Sequence, residues 1–255
     1  MRTRRTALAV AGGAVLLAVA ALPAAALPAV APPEPGPWSY RTADLAEDDR
    51  WAEEREEGTA AAPAEARALL AKVQRCRQIS KGKYRKDAGA RADIPVCGTD
   101  GAVFWKADMD IDCDGVPTAK CNSRTDPWFH ATTAFRQSDG RHLNAEKLPF
   151  IVVPAPSRIW DYRAHGIRGG SAAAVIYRDR VQYAVVGDTG PTTVIGEASY
   201  AAAKALGIDP DPRGGGVPSG VTYIVFKNTR VSPIEDRAEA ARVGAAMAAG
   251  FLADE

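Results

Sequence analysis

From Ser80 onward the chain alternates short apolar runs with turns built from Gly, Pro and Asp. Five runs rich in Val, Ile, Ala and Tyr have strand length: Ala102–Lys106, Phe150–Val153, Ala173–Tyr177, Val181–Val186 and Val221–Val225. Tyr177 to Val181 predicts a hairpin with Arg178 to Arg180 at its tip. Helical spacing appears three times. Leu69, Leu70 and Val73 predict a helix over residues 64–75 packed on the domain. A second helix is expected to start at Glu197 and to stop at Gly207, a glycine at the position that closes helices. A third is expected over residues 233–252, opened by Ser232-Pro233-Ile234-Glu235 with capping-box spacing. Many strands and few helices predict a compact β-barrel or sandwich with peripheral helices.

The first part of the chain has a different texture. Met1 to Arg5 are basic, Ala7 to Leu22 are apolar, and Pro23 leads into Ala24-Ala25-Ala26, which reads as an export signal cleaved after Ala26. The apolar run is also long enough to be an anchor, but its small residues and A-x-A ending favour cleavage. Residues 27–37 are proline-rich and residues 47–57 highly charged. The expected organisation is a signal over 1–26, a linker over 27–63 and a catalytic domain over 64–255. Of the 32 Lys and Arg, three lie in the first 26 residues, which carry no acid, leaving 29 bases against 31 acids. That balance offers no basic face for nucleic acid. Export places the four cysteines in an oxidising compartment, where they allow three pairings. Cys76–Cys97 and Cys113–Cys121 are favoured because each closes a short local loop. Zinc is the weaker reading, since no C-x-x-C occurs and the histidines lie elsewhere.

Candidate chemistry centres on two acids. An apolar strand ends in Gly187-Asp188-Thr189-Gly190-Pro191, and Glu197 follows Gly196 nine residues after Asp188. Glycosidases use two carboxyl groups flanking the scissile bond. A turn aspartate and a helix-capping glutamate would look the same at this level. A second acidic feature is Asp108-Met-Asp110-Ile-Asp112-Cys113-Asp114-Gly115. Its spacing resembles the opening of a calcium loop, but the twelfth position is Cys121 where a bidentate Glu is needed. Alternation of Asp with apolar residues instead predicts a strand with its acids on one face. Such a stripe suits a cationic polymer, or simply a solvated edge. Phe104, Trp105, Trp128, Phe129, Trp160 and Tyr162 are the aromatics available to stack on sugar rings. No G-x-S-x-G or H-E-x-x-H occurs.

Residues 80–228 resemble glycoside hydrolase family 75, the fungal-type chitosanases. The resemblance is carried by Asp93-Ile-Pro-Val-Cys97, the Asp108–Gly115 stretch, Gly187-Asp188-Thr189-Gly190 and Gly196-Glu197-Ala198-Ser199. It implies endo-hydrolysis of β-1,4-linked glucosamine with inversion, with Asp188 and Glu197 as the essential acids and a shorter linker between them than in fungal members. Asp110, Asp112 and Asp114 are then expected to hold protonated amino groups, with Thr189, Trp105 and Tyr162 also lining the substrate path. The helix expected at Glu197 suits that residue as base, leaving Asp188 as acid. A more distant likeness of Val185 to Pro191 and the following helix to double-psi proteins points to a six-stranded double-psi β-barrel. The partner expected is chitosan, with no cofactor, no metal, no nucleic acid and no membrane association after cleavage, for a secreted monomer. An expansin-like wall-binding module, a lytic transglycosylase and a calcium-stabilised structural domain are the competing readings.

Overall fold

The computed structural model describes residues 63–254. The expected export signal, and the expected linker up to residue 62, lie outside the described residues. Helix α1 spans 63–72. Strands β1 (Cys97–Gly98), β2 (Ala102–Asp112), β3 (Phe150–Pro154), β4 (Ala172–Tyr177) and β5 (Arg180–Gly190) follow. Then come β6 (Glu197–Ser199), helix α2 (Tyr200–Leu206), β7 (Val217–Phe226) and helix α3 (Arg237–Ala253), with a 3-10 turn at Tyr162–His165.

Six strands close on themselves in the order β2-β6-β3-β5-β4-β7, with β7 returning to β2. β1 adds to the edge of β2 at Val103 and Phe104, and β6 pairs in parallel further along, at Asp110 to Asp112. The protein is therefore mainly β, a closed six-stranded barrel with three helices, and all five expected strands belong to it. Alternation along each strand separates two apolar faces. Val103, Trp105, Ala107 and Met109 of β2 join Val175, Val186, Tyr223 and Val225 in one buried cluster inside the barrel. Ala102, Phe104, Ile176, Ile224 and Phe226 join a second cluster on the outer wall, covered by Leu69 and Val73 near α1 and by Ala240, Ala248 and Phe251 of α3. Because both faces are covered, these strands read as unbroken apolar runs.

Two helix starts differ from expectation. Glu197 is not helical: Glu197–Ser199 form β6, and α2 begins at Tyr200. Ser199 is the reason. Its Oγ accepts the N–H of Ala202 at 3.2 Å as the N-cap, accepts the N–H of Phe150 at 3.0 Å and donates to the Leu148 carbonyl at 2.8 Å. Those bonds hold the preceding tripeptide extended, where it pairs with β2 and β3. α3 begins at Arg237 rather than 233. Asp236 caps it by accepting the Glu239 N–H at 2.9 Å, and Asp-x-x-Glu offers the same capping spacing four residues later. Glu235 instead turns away and accepts the N–H of Ser138 at 3.0 Å. α1 ends at 72, three residues short of the predicted end. The hairpin turn is Arg178–Asp179, with Tyr177 opposite Arg180. Both expected disulfides are present. Cys76–Cys97 ties the segment after α1 to β1, and Cys113–Cys121 closes the loop that leaves β2.

Candidate active site

Asp188 owes its position to one extra residue. β5 runs parallel to β3 with Val186 opposite Ile151, but Asp188, not Gly187, is opposite Val152. Gly187 is thus a bulge, and a bulge re-aims the side chains that follow it. Ala184 and Val186 point into the barrel. Unbroken alternation would send Asp188 the same way, and the bulge turns it to the outer wall beside Val152. There Asp188 is 7 % exposed. Its Oδ1 accepts the N–H groups of Ala134 and Thr189, both at 2.7 Å. Burial raises its pKa, and the two N–H groups work against that rise by favouring the anion.

Glu197 reaches the same face from β6, where it is paired with Asp110. Its carboxylate lies over Gly190: a Cβ there would stand 2.5 Å from Oε2, so any larger residue would displace the acid. Burial, then the charges of Asp110, Asp114, Asp188 and Asp108, push Glu197 up to about 7. A third group of acids adjoins the pair. Asp112 accepts the Asp114 N–H at 2.6 Å, and Asp114 accepts the His130 N–H at 2.7 Å. Carboxylate oxygens of Asp112, Asp114 and Asp188 all lie within 4.8 Å of one another. Burial raises Asp114 to about 6, and burial plus the Asp188 and Asp114 charges raise Asp112 well above the usual range. Carboxylates this close cannot all ionise at neutral pH, so the cluster holds protons. Oxygen donors in this number suit a hard cation, although Asp188 and Asp112 already accept backbone N–H groups.

These acids line a cleft of about 380 Å³ together with Asp126, Trp128, His130, Thr189 and Pro191. Trp128 is 84 % exposed, the one large hydrophobic side chain so exposed among the described residues. Its backbone N–H donates to buried Asp126 at 2.8 Å, which fixes the turn that presents the ring.

Of the residues expected to bind substrate, Asp112, Asp114 and Thr189 are gathered with Asp188 and Glu197. Asp110 lies next to Glu197 in the sheet but opens onto a neighbouring groove. Trp105 and Tyr162 are elsewhere. Trp105 is wholly buried inside the barrel, stacked on Tyr223 with ring centres 5.3 Å apart, and Tyr162 is a core residue beside Trp160. Trp105 has the parity of Val103 and Ala107 and so faces inward, opposite to the acids. Because Asp110 and Asp112 lie in a paired strand, the stretch is no calcium loop of the helix–loop–helix kind. Asp126 and His130 carry no sequence signal of their own. Their setting does: Asp126-Pro127-Trp128 is a turn just beyond a disulfide loop that begins among four acids, a place where an aromatic ring has little core to enter.

Comparison with known proteins points to one family. Residues 109–251, more than half of the chain, match the family described as fungal chitosanase of glycosyl hydrolase group 75. The chain is 33 % identical over 133 residues to endo-chitosanase C of Aspergillus oryzae, covering 50 % of this chain and 32 % of that protein. It is 27 % identical over 169 residues to an endo-chitosanase of Aspergillus fumigatus, covering 61 % of this chain and 71 % of that protein. A further endo-chitosanase of Aspergillus oryzae is 30 % identical over 138 residues, covering 50 % of this chain and 56 % of that protein. The chain thus spans about a third of the first relative and little more than half of the last. The matched segment contains both bulge-borne Asp188 and β6-borne Glu197, with every other acid of the cleft. By that match the chain belongs to glycoside hydrolase family 75.

Proposed function

We infer that the cleft hydrolyses β-1,4-glucosamine linkages of chitosan, acting within the polymer, with Glu197 as general acid and Asp188 as general base of an inverting reaction. One observation carries the reading: two carboxyl groups from separate strands share a cleft whose charged lining is almost wholly acidic. The names of the relatives supply the substrate class. The roles follow from the surroundings. Glu197, at about 7, keeps a proton to give to the glycosidic oxygen near neutral pH. Asp188 accepts two N–H groups, which favour the ionised form that activates water. This reverses the assignment expected from a helix start at Glu197, because Glu197 lies in β6 and not in the first turn of α2. Asp112 and Asp114 offer oxygens that accept hydrogen bonds from the substrate's ammonium groups, and Trp128 offers a face for a sugar ring. On this reading residues 64–255 are the catalytic domain, 27–63 a linker and 1–26 an export signal. The two disulfides fit secretion, and among the described residues no helix is long and apolar enough to cross a membrane.

Glu197→Gln and Asp188→Asn should each lower reducing-end release from soluble chitosan by about 10²–10⁴-fold, with circular dichroism unchanged. Near-normal release by either variant sinks the pairing. NMR of the first anomer formed reads the stereochemistry directly.

A further inference from the structure

A second group of acids lies outside the cleft. Asp87, Asp108 and Asp110 each place a carboxylate oxygen within 4.8 Å of the other two. They border a groove of about 340 Å³ between β2 and the Gly214–Gly216 turn. Asp108 is 4 % exposed, and its Oδ1 is buried without any hydrogen-bond partner. Gly196 makes this burial possible. Its φ is +125°, and a Cβ there would stand 2.2 Å from Asp108 Oδ1. A buried carboxyl oxygen with no donor is costly to keep, and here the surrounding backbone is shaped to keep it. Asp87 and Asp110 are exposed beside it.

The charge these acids suit is a single positive one. Lys86 is already at the rim, with its Nζ 3.9 Å from Asp87 Oδ2. A divalent ion would sit against that ammonium, whereas an incoming amine can take its place as Lys86 swings into solvent. Three acceptors about 2.8 Å from one ammonium nitrogen stand about 4.6 Å apart, a spacing the trio accommodates. The groove adjoins the catalytic face, because Asp110 is the strand partner of Glu197.

We propose that Asp87, Asp108 and Asp110 form a second ammonium subsite, which takes the C2 amine of a glucosamine unit lying beyond the cleft. It rests on the chitosan reading for its ligand but uses none of the reacting groups. Substrate specificity for deacetylated stretches follows: an N-acetylated unit brings no charge to this groove.

The test is binding of a fully deacetylated glucosamine hexamer to the Glu197→Gln chain, with and without Asp87→Asn and Asp110→Asn. That background prevents turnover and removes the influence of Asp110 on the Glu197 charge. Both added changes are at exposed positions, so folding is preserved, and melting temperature checks it. The expected result is about a tenfold rise in Kd at low salt, shrinking as salt is added. An unchanged Kd, or no hexamer binding to the Glu197→Gln chain at all, overturns the subsite. So does a calcium-induced rise in melting temperature that the two changes abolish while leaving hexamer affinity intact, since the group would then be a metal site. Hydrolysis is read separately on the unaltered chain. Failure to cleave chitosan sinks the chitosanase reading alone, and cleavage with an unmoved hexamer Kd sinks the subsite alone.

Discussion

Glu197 stands near four other carboxyl groups at a partly buried position in the cleft, and its proton is the residue-scale consequence. Its pKa is raised from an ordinary 4.5 to about 7, and that of Asp114 from 3.8 to about 6. The folded protein therefore binds protons in a range where the unfolded chain has lost them. Stability from these groups is complete below the unfolded values and is lost as pH climbs through the folded ones. The melting temperature should thus fall between pH 5 and pH 8, and Glu197→Gln should flatten that fall. A melting temperature that rises over this window would contradict the cluster's charge state. The same proton sets the basic limb of activity: kcat/KM should decline as pH passes about 7. At Gly190 the lesson is spatial. Gly190→Ala would drive a methyl into the Glu197 carboxylate, and a misplacement of this size costs about a hundredfold in rate. Rate measurement with thermal melting should show activity lost and fold kept.

At the scale of elements, the two disulfides divide the labour. Cys76–Cys97 spans 21 residues and anchors the segment after α1 to β1, away from the cleft. Cys113–Cys121 spans 8 residues and pins the start of the segment that supplies Asp114, Asp126, Trp128 and His130. Replacing the first pair by serine should cost mainly melting temperature, and replacing the second mainly activity, with the longer loop losing more stability. Equal effects on both readouts would refute this separation. Elements also show what could be read from the sequence. The five long strands announced themselves because apolar residues cover both faces. That same continuity concealed parity, so Trp105 looked like a neighbour of the acids when it points the opposite way. β6 had no signal at all: Glu-Ala-Ser is extended only because Ser199 is fastened to Phe150, Leu148 and Ala202, and tertiary pairing overrides local preference. The acids themselves were legible by motif and resemblance. The bulge that unites Asp188 with Glu197 was not, since an extra residue in a strand is defined by its partner.

For the molecule as a whole, the barrel keeps its apolar clusters inside and beneath the helices, and gathers eight acids along the cleft and the adjoining groove. Cleft and adjoining groove together carry Asp87, Asp108, Asp110, Asp112, Asp114, Asp126, Asp188 and Glu197. A field of one sign over a cleft concentrates opposite charge and speeds encounter. KM for chitosan should therefore rise with ionic strength as the screening length drops to about 10 Å near 0.1 M salt. Indifference of KM to salt would argue against electrostatic capture. The double-psi likeness pointed to closure with six strands, and closure with six strands is what the pairing register establishes.

Gly187 makes the chemistry depend on counting. A chain in which Gly187 took a regular place opposite Val152 would retain all its acids and all its apolar stretches. Its composition would be unchanged, yet the next carboxyl would swing through the wall and into oil. Such a slip in register would take the carboxyl out of the cleft and burden the interior with a charge at one stroke. Relatives are worth comparing at that position for strand register, which leaves no trace in an inventory of side chains.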